Sequence, residues 1–146
     1  MHLSDSLKNK YTEDRLSARE AQRTAEFIAW GPVVFQASRI MIKRVLFDMI
    51  RDAEDGITRD EIVSKSGLSD YAVKCLLEAS LCIGSVYVNP ENDRFYISKI
   101  GWFLLNDPAT RVNIDFNHDV NYEGWFYLED ALLNGKPEGL KHFGHW

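Results

Sequence analysis

The sequence holds little of what marks the specialised protein classes. It has only two cysteines, Cys75 and Cys82. They fall seven positions apart on one expected helix, about 10 Å along its axis, too far to bridge each other. A disulfide framework is therefore excluded, and both are expected to be reduced core residues rather than reactive thiols. No stretch approaches the roughly 18 uninterrupted apolar residues of a membrane span, and the opening MHLSDSLKNK lacks the apolar region of a signal peptide. The expected location is the cytoplasm. No glycine-rich phosphate loop, no Gly-x-Ser-x-Gly elbow and no His-Glu-x-x-His occurs, so the short signatures of nucleotide, acyl-transfer and zinc chemistry are missing. Internal repeats, low-complexity stretches and long flexible linkers are absent too.

A basic excess is also lacking. The net charge is −5, from 17 Lys/Arg and 22 Asp/Glu. Residues 1–56 carry nine basic and nine acidic side chains, residues 57–105 five and six, and residues 106–146 three and seven. Affinity for nucleic acid rests on cations that neutralise phosphates, and this chain concentrates acid at its C-terminal end.

What is present suits one globular domain: 146 residues, 45% hydrophobic and 27% charged. After a polar start, residues 13–30 place Leu16, Ala21, Ala25, Ile28 and Trp30 roughly on one side of an amphipathic helix. Gly31-Pro32 breaks or kinks the chain. A second helix follows from Val33 to about Asp55, apolar over far more than one stripe. Such a helix must be buried on most sides, which a domain this small achieves poorly without a second chain or domain. Gly56 is placed to end it.

Thr58-Arg-Asp-Glu61 has the spacing of a capping box, and the helix it opens runs to about Lys65. Gly67 supplies a turn, Ser69 a second N-cap, and a mostly apolar helix continues to Gly84. SVYVNPENDRFYIS then alternates on both sides of a turn-rich centre, as a two-stranded wing over about 85–98 does. Ser98 caps a further helix that Pro108 is expected to stop. A last, strongly aromatic helix is expected from about Asn121 to Asn134, closed by Gly135. The fold expected is mainly α with a small β-hairpin, a winged helix-turn-helix with additional N- and C-terminal helices.

The polar positions expected to face outward on the recognition helix, Ser69, Asp70, Lys74 and Glu78, sum to −1, and the wing tip sets Glu91 and Asp93 against Arg94. A DNA phosphate would be repelled about as much as attracted. His118, His142 and His145 with Asp115 or Asp119 are of the right types to ligate a divalent ion. No matched ligand pair faces them, however, and His142 and His145 lie at the chain end, so structural or solvated histidines are expected and no metal. Asp52, Glu54 and Asp55 read as a solvated turn.

Residues 61–104 resemble the N-terminal winged-helix dimerisation domain of S-adenosylmethionine-dependent O-methyltransferases of the plant-type and polyketide-tailoring small-molecule families. The resemblance lies in Glu61-Ile62-Val63, Gly67-Leu68, Leu76-Leu77 with Gly84, and above all Arg94-Phe95-x-Ile97-Ser98-x-x-Gly101-x-x-Leu104. Trp125-x-x-Leu128-x-x-Ala131, then Gly135 and Phe143-Gly144, looks like the lead into that family's catalytic domain.

The resemblance implies a dimerisation and substrate-cap domain. Residues 1–12 form a flexible N-terminus, 13–135 the domain itself and 136–146 the start of a linker to a catalytic domain not present here. It implies that this chain alone holds no catalytic, cofactor-binding or metal residue, and that S-adenosylmethionine binds in the missing Rossmann-like domain. The expected partners are a second copy, that catalytic domain and a small-molecule substrate, with neither nucleic acid nor membrane. Phe35, Ile42, Val45, Leu46, Phe47, Met49, Ile50, Trp125 and Phe126 are expected at the dimer interface, and Arg39 and Lys43 facing the substrate. The competing readings are a winged-helix DNA-binding transcription regulator and a free-standing protein interaction module.

Overall fold

The computed structural model describes residues 13–144. The expected flexible N-terminus, residues 1–12, and the terminal His145 and Trp146 lie outside them. The chain divides after Gln36 into two compact units. The first contains helix α1, Ala18–Ala29, and the opening turns of α2, Gly31–Lys43. Ser17 starts α1 with a capping box: its hydroxyl accepts from the Glu20 N–H at 3.3 Å, and the Glu20 carboxylate accepts from the Ser17 N–H at 2.9 Å. Leu16 therefore precedes the helix, and no residue of α1 is buried. Proline stands in the first turn of α2, where its missing N–H costs nothing.

The second unit contains the core. The helix expected to run unbroken to Asp55 is instead two helices. Val45 adopts a left-handed conformation, φ 54° and ψ 24°, and α3 covers Leu46–Arg51. The break has a packing cause. Residues 41–50 are apolar on too many sides for one straight helix to bury, and the turn at Val45 redirects Leu46, Phe47 and Ile50 inward beside Met41 and Ile42. With α3 ended at Arg51, Gly56 serves the following turn, at φ 77°.

From Thr58 to Asn106 the expected helices and strands form with nearly the expected bounds. Thr58 and Glu61 form the capping box that opens α4, Arg59–Ser66, and left-handed Gly67 ends it. Ser69 caps α5, Asp70–Ile83, which ends at left-handed Gly84. The wing is β1, Val86–Asn89, paired antiparallel with β2, Arg94–Ile97, in the register Val86 to Ile97 and Asn89 to Arg94. Ile57 adds a short third edge by exchanging backbone hydrogen bonds with Phe95 at 3.1 and 2.8 Å. Ser98 caps α6, Lys99–Asn106. The fold is thus a winged helix-turn-helix, its core formed by Met41, Leu46, Phe47, Ile50, Ile57, Ile62, Val73, Leu77 and Val86.

Three expectations are corrected, two of them beyond α6. Pro108 begins a helix rather than merely ending one: the Asp107 carboxylate accepts from the Thr110 N–H at 2.8 Å, and α7 runs Pro108–Phe116 before a π-helical turn at Asn117–Asn121. The expected helix 121–134 is broken, with a 3-10 turn at Gly124–Tyr127 and only Leu128–Asn134 as α8, ended by left-handed Gly135. A second 3-10 turn, Glu138–Phe143, packs on the first. Gly139 meets the backbone of Gly124 there, with a β-carbon on Gly139 falling 2.9 Å from the Gly124 carbonyl oxygen. Finally, Cys75 and Cys82 are both free and exposed, not core residues. Val73, Leu77 and Ser80 take the inner stripe of α5, which turns both cysteines outward. Among the described residues no helix is long and apolar enough to cross a membrane.

Candidate self-association surface

The residues expected at a dimer interface separate into two groups. Ile42, Leu46, Phe47 and Ile50 are buried in the chain's own core. Within one chain the apolarity of residues 41–50 is consumed largely by folding. Val45 is exposed, Phe35 and Met49 are half-buried, and Trp125 and Phe126 are 54% and 85% exposed. Of the two cations expected to face substrate, Arg39 is half-buried and Lys43 exposed.

Apolar surface remains in quantity elsewhere. The first unit exposes Phe27, Ile28, Trp30 and Val33, and the second exposes Trp102 and Phe103 of α6 and Leu132 and Leu133 of α8. Helix α7 and the turn after it reverse the ordinary arrangement of an amphipathic helix. Val112, Phe116 and Val120, four residues apart, are exposed, whereas Arg111, Asn117 and His118 are half-buried and only Ile114 reaches the core. Two nitrogens on that inner side, Arg111 Nε and His118 Nδ1, are covered without a hydrogen-bond partner among the described residues. Reading Pro108 only as a stop hides this stripe. Its signal was the 112, 116, 120 spacing, which follows a proline suited to a first helical turn.

The C-terminal turns enclose an open apolar cleft of about 250 Å³ between Val120, Trp125, Leu128, Ala131, Leu140 and Phe143. Glu123 and His142 close one edge at 2.6 Å. Lys141 pairs with Glu138 and is the main cause holding that carboxyl below its ordinary range. These contacts fix the last turn of the chain to the aromatic segment before it.

On the recognition helix and wing the cations Lys74 and Arg94 are already engaged, as is Arg59 of α4, while Lys65 of α4 is exposed without an ion pair among the described residues. Lys74 lies 3.9 Å from Glu78, and Arg59 pairs with Asp70 at 2.9 Å. Arg94 donates to the Gly56 carbonyl at 2.8 Å and to Glu61 at 3.4 Å. Expected outward positions Ser69, Asp70, Lys74 and Glu78 are all exposed, but they present internally compensated charge. Among the described residues no three His, Cys, Asp or Glu side chains gather as a metal site. His118 lies 3.9 Å from Asp119, and His142 is taken by Glu123.

Solved structures share this fold. The S-adenosylmethionine-dependent methyltransferase SibL, in its apo form, matches with a TM-score of 0.74 at 17% identity, over 84% of this chain and 36% of that one. Human N-acetylserotonin methyltransferase in complex with SAM matches with a TM-score of 0.70 at 18% identity, over 93% and 39%. A pericyclic reaction enzyme matches with a TM-score of 0.66 at 14% identity, over 88% and 31%. The chain therefore spans about a third of the length of these proteins, and the likeness at such identities is one of fold. No curated protein matches the chain in sequence. Residues 22–95, just over half of the chain, match the family model described as the Dimerisation2-like domain, and the chain belongs to that family.

Proposed function

We propose that this chain is the homodimerisation and substrate-cap domain of an S-adenosylmethionine-dependent small-molecule O-methyltransferase, with donor and catalytic base held by a further, Rossmann-like domain. The observation that carries the reading is the amount of exposed apolar side chain on helices of a domain whose family is described by dimerisation. A standard interface of about 800 Å² per partner is built around aromatic and aliphatic anchors inside a polar rim, and Trp125, Phe126, Leu132, Leu133, Phe116 and Trp102 are such anchors. Of the interface residues expected from sequence, Phe35, Val45, Met49, Trp125 and Phe126 keep that role, and Ile42, Leu46, Phe47 and Ile50 support the surface from within. Of the two cations expected to face substrate, Arg39 keeps that role in this reading and Lys43 is given instead to the contact between copies, and the cleft at Trp125 and Phe143 is part of the roof. Residues 13–135 act as the domain and 136–146 as the lead into the next. The methyltransferase fold likenesses support the reaction class. The engaged cations of the recognition helix and wing support a protein partner over nucleic acid.

Sedimentation equilibrium tests the self-association step. A dimer is expected at low micromolar concentration, shifted to monomer by Trp125→Ser with Phe126→Ser while the helical circular dichroism is kept. A wild-type chain that stays monomeric at high micromolar concentration would sink the reading. The likeness to a pericyclic reaction enzyme favours a second one, in which the same dimerisation domain serves another reaction class. Binding of S-adenosylmethionine by the protein that carries this domain separates the two.

A further inference from the structure

Two surfaces of the second unit match each other in chemistry. At the C-terminal end of α2 and the turn that follows it, Ile40 and Val45 are exposed, and the exposed cations Lys43 and Arg44 stand between them in the chain. Neither cation makes an ion pair with any described carboxylate, which holds also for Arg39, Lys65, Lys99, Arg111 and Lys136 of this unit, and among these Lys43 and Arg44 stand side by side in the chain. On α7 and its π-helical turn, Val112, Phe116 and Val120 form an exposed apolar stripe whose flank carries Asp115 and Asp119. Asp115 makes no ion pair among the described residues, and Asp119 lies 3.9 Å from the imidazole of His118. One surface is apolar with a basic rim, and the other is apolar with an acidic rim. The segment 106–146, with three basic and seven acidic side chains, carries the acid that the whole chain leaves unbalanced.

We infer that these two surfaces are the two halves of one contact between copies of this chain, with Lys43 and Arg44 of each copy on Asp115 and Asp119 of the other, around Ile40, Val45 and the 112–120 stripe. The inference rests on the self-association proposed above and adds where and by what charge it occurs. A two-fold axis makes such a pairing appear twice, since residue i meets j and j meets i. Each dimer then contains two copies of the contact, with both charge sets matched. The apolar centres supply affinity, and the rims set register and exclude wrong pairings. Because the rims are at the surface, their contribution is screened over a Debye length of about 10 Å at 0.1 M salt.

The test is a charge exchange on the full chain, read by sedimentation equilibrium in 20 mM and 500 mM NaCl. Lys43→Glu with Arg44→Glu makes both rims acidic, and Asp115→Lys with Asp119→Lys makes both basic. Either variant alone is expected to dimerise at least tenfold more weakly than wild type at low salt. Mixed in equal amounts, the two are expected to form a heterodimer of near wild-type affinity, which also shows that each is folded. Raising the salt is expected to weaken the wild-type dimer severalfold. A wild-type dimer indifferent to salt and to both reversals overturns this inference and leaves self-association standing, with the two surfaces free for another partner. A wild-type chain that is monomeric at high micromolar concentration in both salts overturns the two together.

Discussion

Gly101, in the first turn of α6, lies against the backbone carbonyl of Ser85 at the entrance to the wing, with no room between them for a β-carbon. The approach is locked from both sides. Ser98 donates its hydroxyl to the Gly84 carbonyl at 2.6 Å and its backbone N–H to the Ser85 carbonyl at 3.1 Å, while the Ser98 hydroxyl oxygen accepts from the Gly101 N–H at 3.2 Å. The Ser-x-x-Gly spacing at the wing exit is therefore a single device that fastens α6 to the end of α5.

Gly101→Ala should accordingly destabilise the fold, although alanine is the better helix former by about 1 kcal/mol. The added methyl would meet backbone, not a flexible side chain, and overpacking of this kind costs about 1–3 kcal/mol. A lowered denaturation midpoint in urea is expected. An unchanged or raised midpoint would show that the helix and strand move apart freely.

Val45 should respond in the opposite direction. A β-branched residue in the left-handed region is strained by roughly 1–2 kcal/mol, and Val45 is half exposed, so its side chain returns little burial. Val45→Gly removes that strain and adds back about 0.5–1 kcal/mol of unfolded-chain entropy. A net gain of about 0.5–1 kcal/mol in unfolding free energy follows. It is best measured in the Trp125→Ser, Phe126→Ser background, so that self-association does not contribute.

Acid should weaken the fold through its capping carboxylates. Glu61 is held below its ordinary range chiefly by the Thr58 backbone N–H, then by the Thr58 hydroxyl, with Arg94 adding to it. Asp107 is lowered by the Thr110 hydroxyl and N–H, and Glu138 by Lys141. A carboxyl whose folded value lies below its unfolded value of about 4 stabilises fully above that unfolded value. It loses the contribution as pH falls through the depressed folded value. Urea midpoints should therefore hold steady from pH 7 to about 5 and fall from about 4.5 downward. Glu61→Gln should flatten part of that acid slope, and a slope identical to wild type would contradict the assignment.

The features legible in the sequence are those set by residues close along the chain. Thr58 with Glu61, Ser69, Gly67, Gly84 and Gly135 each act on backbone within four residues, as Ser98 does in capping α6, so the helix-turn-helix, the wing and their boundaries follow from spacing; the further bonds of Ser98 to the Gly84 and Ser85 carbonyls are tertiary. Where distant packing competed with local preference, the tertiary structure decided. Residues 33–55 have the composition of one helix, but burying Leu46, Phe47 and Ile50 together requires the chain to turn, and it does so at a valine ill-suited to the turn. The same packing buried those residues within the chain and turned Cys75 and Cys82 outward. Pro108 is ambiguous by itself, since it ends one helix as readily as it begins another, and the Asp107 cap with the packing of Ile114 made it a beginning. Local sequence determined which elements form and where they stop. Only the three-dimensional core determined which apolar residues were left on the surface, because burial is shared among elements far apart in the chain.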